Sequence, residues 1–112
     1  MEVWRKSCKL ACEIYELSRE GELAKDFGFR DQLRRSSVSV PSNIAEGFER
    51  DSDREFARSL RISKGSCGEL RTQLYIAARI GYIDGEKMSE MVSRVEEVSR
   101  MLAGLIQRLS RS

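Results

Sequence analysis

MSEMVSRVEEVSRMLAGLIQRL, residues 88–109, is the stretch on which the fold turns. Met88, Met91, Val95, Val98, Leu102, Leu105 and Leu109 alternate in steps of three and four. That spacing holds side chains on one stripe of an α-helix, which turns about 100° per residue. Kept up over about three heptads, it is the a/d seam of a helix packed lengthwise against others. Asp84-Gly85 marks the preceding turn, so the segment runs from about Gly85 to Leu109.

Upstream, Phe56, Leu60, Ser63, Cys67, Leu70, Leu74 and Ala77 form a second helical stripe within about Asp53 to Ile80, closed by Gly81. Asp51-Ser52-Asp53 breaks the chain before it, and Ser52 or Asp53 supplies an N-cap. Between Phe27 and about Arg50, Leu33, Val40, Ile44 and Phe48 fall on one side, with Pro41 in the middle. An interior proline removes one helical bond and kinks the helix, whereas a proline at a first turn opens a new one. No glycine or turn dipeptide flanks Pro41, which favours one long kinked helix. The first segment, about Glu2 to Ser18, repeats Val3, Leu10, Ile14 and Leu17 with Trp4, Ala11 and Tyr15 beside them, stops near Gly21, and leaves a loop to Asp26. Four helices on short connections predict an all-α, antiparallel up-down-up-down four-helix bundle, kinked at Pro41 in its second helix, with residues 1–112 as a single domain.

Composition agrees with that class. The 112 residues are 40% hydrophobic and 34% charged, and one proline and eight glycines leave room for long helices. Such a chain buries roughly 65% of the surface its unfolded form exposes, enough for one core without staples. The three cysteines, Cys8, Cys12 and Cys67, form no CxxC pair and have no histidine beside them, which speaks against disulfides and zinc. They read as reduced, buried, small apolar groups of a cytoplasmic protein. No apolar signal core opens the sequence, and no run approaches the roughly 18 apolar residues of a membrane span. Histidine-bearing di-iron motifs, phosphate-binding glycine loops and serine nucleophile elbows are all missing, so neither enzyme nor cofactor is expected.

Three features are candidates for function. A polar line, Arg35, Ser39, Asn43 and Glu46, faces Ser63, Ser66 and Glu69, where Gly65 and Gly68 would let two helices approach; such a seam fixes register or meets a ligand or subunit. Net charge is only +2, yet all but five of the twenty basic residues are arginine, the side chain suited to forked pairing with phosphate. Arg54, Arg58, Arg61 and Arg79 project within about 60° of one another opposite the core stripe, with Arg30, Arg34 and Arg50 on the neighbouring segment. That makes a ridge for nucleic acid or a solvated, ion-paired face. Ile62, Ile76 and Ile80 lie off the core stripe on one flank, and Val92 and Met101 beside the final seam; this surplus reads as a subunit interface.

The run QLRRSSVSVPSNIAEGF, residues 32–48, followed by SKGSCGEL at 63–70 and Gln73-Leu74, with Trp4 and the basic residues after it, resembles a known family. It is similar to the bacterial four-helix bundle proteins encoded in intervening sequences of 23S ribosomal RNA genes, a family that includes the accessory variability determinant of diversity-generating retroelements. The resemblance implies an antiparallel bundle assembled as a ring, a homopentamer in known members. It also brings RNA or DNA and a reverse transcriptase into view as partners, because the strongly basic retroelement members bind nucleic acid and contact that enzyme. At +2 this chain lacks their charge excess. Two readings follow: a non-enzymatic ring-forming bundle that meets nucleic acid or a nucleic-acid enzyme through its arginine face, or an oligomeric protein-interaction module without nucleic acid.

Overall fold

The computed structural model describes residues 1–111 and carries five helices: α1 (Glu2–Leu17), α2 (Gly21–Lys25), α3 (Phe27–Phe48), α4 (Asp53–Arg79) and α5 (Gly85–Ser110). Ser112, the end of the expected domain, lies outside the described residues. The long helices coincide with the four periodic segments. Each later one starts on a side-chain cap: Asp26 Oδ1 accepts from the Phe29 amide at 3.1 Å, Ser52 Oγ from Glu55 at 3.1 Å, and Asp84 Oδ1 from Lys87 at 2.7 Å. The loop expected at 21–26 is instead the single turn α2. Gly21 redirects the chain at φ +61°, and Leu23, 1% exposed, anchors the turn in the core.

The connections and cross-contacts define the packing. α1 rests on α3 and α5, and α4 on α3 and α5, which closes a bundle of 46 × 22 × 18 Å. Along α3 and α4, Ser39 meets Ser66, Val40 meets Ser63 and Gly47 meets Ser59, so the two run antiparallel. Along α1 and α5, Lys6 pairs with Glu97 at 3.2 Å and Glu13 with Arg94, again antiparallel. Pro41 is buried inside α3, which continues through it as one helix. The missing proline amide takes the donor from the Ser37 carbonyl. One residue away, Ser63 Oγ donates to the Val40 carbonyl at 2.9 Å and ties this stretch to α4.

The core is the predicted stripes brought together: Leu33, Val40 and Ile44 of α3, Leu60, Leu70 and Leu74 of α4, Val95 and Leu102 of α5, with Ile14 of α1, all at 0% exposure. Several expectations change in three dimensions. Phe48 is 62% exposed, off the core side of α3. Val92 and Met101 are half-buried against the core and leave no surplus on α5. Cys67 is buried as expected, but Cys8 is half-buried and Cys12 exposed, because α1 turns that face outward. The close helix approach is not at Gly65 or Gly68, where an added Cβ would meet nothing. It is at Gly47, where one would stand 2.4 Å from Ser59 Cβ.

Candidate functional site

The outer faces of α4 hold most of the candidate groups. Arg54, Arg58 and Arg61 sit on consecutive turns, all exposed. Among the described residues none of the three makes a hydrogen bond or ion pair. Arg79 continues the line at the far end, where its Nη1 donates to the Tyr75 hydroxyl at 3.3 Å. The arginines expected beside them are engaged elsewhere. Arg50 pairs with Glu46 at 3.3 Å. Arg34 Nε donates to Ser18 Oγ at 2.7 Å while its guanidinium lies 4.6 Å over Tyr15, so it fastens α3 to α1. Arg30 pairs with Asp31, donates to the Ala24 carbonyl and covers the Phe27 ring at 4.7 Å. The seven arginines therefore do not form one patch; the free ones are those on the first half of α4.

Ile62, Ile76 and Ile80 are 50%, 41% and 53% exposed on the flank of α4 that borders α3. Between them, Glu69 and Gln73 line a groove of about 300 Å³ with Gln32, Arg35, Ser36 and Ser39 of α3. Gln73 Oε1 is buried there without a donor among the described residues.

Beneath the groove runs the polar seam, shorter than expected. Ser39 and Ser66 share a 2.8 Å hydrogen bond, Asn43 Nδ2 donates to the Ser39 carbonyl at 2.8 Å and to its hydroxyl at 3.0 Å, and Ser63 reaches Val40. Arg35, Glu46 and Glu69 are exposed and contribute nothing to it. Asn43, expected largely buried and bonded either to α4 or to the chain near Pro41, is half-buried and bonds across Pro41 to Ser39 of its own helix. What remains is a set of short hydroxyls that let α3 and α4 approach and lock their register.

A second apolar surface lies on the opposite side of α3 and was missed from the sequence. Trp4 is 41%, Phe27 64%, Val38 40% and Phe48 62% exposed, and Trp4, Ala45 and Phe48 border an apolar recess of about 230 Å³. The signal was present: Phe27, Val38 and Ala45 stand at i, i+11 and i+18 on one line of the α3 wheel, away from its core stripe.

Ionisable chemistry is sparse. The Tyr82 hydroxyl donates to Asp26 Oδ2 at 2.7 Å and, with the Phe29 amide, holds the Asp26 carboxyl below the usual carboxylate range; the same bond pushes the Tyr82 phenol up. Burial pushes the Cys67 thiol up to about 11, and burial plus the neighbouring Cys12 raise Cys8. These effects belong to a loop fastening and to packing. Among the described residues no three His, Cys, Asp or Glu side chains converge as a metal centre requires, and no helix is long and apolar enough to cross a membrane.

A crystal structure of a protein with unknown function from the S23 ribosomal protein family of Bacteroides thetaiotaomicron VPI-5482 has the same architecture. The two are 26% identical and align over 93% of this chain and 97% of the other at a TM-score of 0.85. No curated protein matches the chain. The family model for the 23S rRNA-intervening sequence protein covers residues 1–104, the whole of the bundle but the last turns of α5. The chain belongs to the 23S rRNA-intervening sequence protein family.

Proposed function

We propose that this protein is a non-enzymatic, self-assembling helical bundle that forms a ring, pentameric by family resemblance. In this reading its arginine ridge meets the phosphates of RNA or DNA, or a nucleic-acid enzyme such as a reverse transcriptase. One observation carries it: Arg54, Arg58 and Arg61 lie exposed on successive turns of one helix, and no carboxylate among the described residues pairs with them. Repeating such a ridge around a ring multiplies weak phosphate contacts into avidity, which offsets a net charge of only +2 per chain.

Band shifts with single-stranded RNA and duplex DNA at low salt test the binding. Affinity should fall with a log–log salt slope of about −0.7 to −0.9 per phosphate contact, and Arg54→Glu with Arg61→Glu should weaken all sequences alike. Absence of binding at micromolar protein supports the second reading, a protein-interaction module. That reading draws on the exposed Ile62, Ile76 and Ile80 and on the internal engagement of Arg30, Arg34, Arg50 and Arg79.

A further inference from the structure

The bundle has two bare apolar sides, and they are not alike. One is built by α1 and α3 and carries Trp4, Cys12, Phe27, Val38, Ala45 and Phe48. The other is the flank of α4 beside α3, with Ile62, Ile76 and Ile80. They share α3 as a common edge. A two-fold dimer would use one patch against its own copy and leave the other in water, whereas a head-to-tail contact covers both.

We propose that the α1–α3 side of one copy packs against the isoleucine flank of α4 on the next. This rests on the assembly reading above and names its joint. The heights along the bundle fit. Trp4 and Phe48 stand at the end where Gly47 meets Ser59, close to Ile62. Phe27 stands at the other end, where the Phe29 and Tyr82 rings touch at 5.9 Å, just beyond Ile76 and Ile80. When copies stand side by side with their axes aligned, groups of equal height meet, so Trp4 and Phe48 face Ile62 while Phe27 faces Ile76 and Ile80. Between them Val38 faces the stretch of Gly65 and Glu69, where no bulky apolar side chain needs a pocket, and the small Ala45, level with the turn before Ile62, leaves room for that side chain.

Charge fits as well. The Glu49 carboxylate, exposed beside Phe48, has no partner among the described residues, and neither has the guanidinium of Arg58, one turn before Ile62 at the same end. Across the joint these two face one another, which leaves Arg54 and Arg61 outward.

The full chain tests this in two steps. Light scattering of the wild type asks first whether it assembles; a mass of 12.8 kDa at tens of micromolar ends the assembly reading and the joint with it. Given an oligomer, Glu69→Cys places a thiol on the isoleucine flank at the height of the exposed native Cys12. A short bis-maleimide should then link copies into a ladder running past the dimer. The ladder should vanish when Cys12→Ser is added, and the wild type should not form it. An oligomer that gives no ladder overturns the pairing, as does a dimer linked through Glu69→Cys alone, which would mean that the flank meets its own copy. Trp4→Arg and Ile62→Arg should each reduce the mass to that of the monomer with an unchanged helical circular dichroism spectrum. Full assembly of either folded variant would likewise overturn the proposal.

Discussion

Replacing Gly47 with alanine tests the packing of α3 on α4 at its tightest point. The added methyl would stand 2.4 Å from Ser59 Cβ, 2.8 Å from its Oγ and 3.1 Å from Phe56 Cδ1. Carbon atoms rest at about 3.5–4.0 Å, so the helices must part by about 1 Å where the Phe48 and Phe56 rings also meet edge to face at 5.9 Å. Overpacking of this kind costs about 1–3 kcal/mol. Alanine regains about 0.5–1 kcal/mol of backbone entropy over glycine in a helix. The net expectation is a loss of about 1–2 kcal/mol, read as a lower urea midpoint at unchanged m. Protein concentration is held fixed because assembly would shift the apparent stability. In a Ser59→Gly background the methyl has room, and Gly47→Ala should turn stabilising, a coupling of roughly 1–3 kcal/mol in the double-mutant cycle. A single Gly47→Ala variant more stable than wild type by about 0.5–1 kcal/mol would show an unconstrained helix there and refute the close approach.

Three further outcomes follow from the same structure. Leu102→Ala, at the buried centre of the α5 seam, should lose about 2–5 kcal/mol by chemical denaturation; a loss under about half a kcal/mol would contradict the register of that stripe. The Asp26 carboxyl is held down by its bond from Tyr82, so that bond stabilises the fold above the ordinary carboxylate range and is lost as pH falls through the depressed value. The raised Tyr82 phenol acts in mirror image, with its contribution intact below the ordinary phenol range and lost as pH climbs through the raised value. In Tyr82→Phe the Asp26 titration seen by NMR should move up, and an unmoved midpoint would mean the bond is not the cause. Thiol reagents at mildly alkaline pH should modify Cys12 first and reach Cys67, pushed up to about 11, only on unfolding; equal rates would contradict its burial.

The arginine ridge and the isoleucine flank of α4 were legible because both lie on one helix, where position on the wheel sets direction. The polar seam was legible only in part. Steps of four advance a helix by about 400°, so Arg35, Ser39 and Asn43 drift round by about 40° each, and of the three only Ser39 bonds to α4. Glu46, three further on, swings back out to Arg50. The α1–α3 surface was overlooked because Phe48 was placed on the core side of its helix and Trp4 beside the α1 stripe, and only the packing of α1 on α3 shows that both stay exposed on one side.

Four helices, a cap at Ser52, the turn at Asp84-Gly85, and the stripes that meet in the core follow from residues within a turn or two of one another. Periodicity and capping are properties of such neighbours, and the sequence by itself determined them. Gly47, not Gly65 or Gly68, as the point of contact was decided only by the crossing of α3 over α4. The same holds for the arginines: Arg34 is spent on Tyr15 of α1 and on Ser18 just past its end, while among the described residues Arg54, Arg58 and Arg61 make no ion pair. A side chain's partner across a helix interface depends on the separation, height and rotation of two helices at once, and no local pattern in the chain encodes all three.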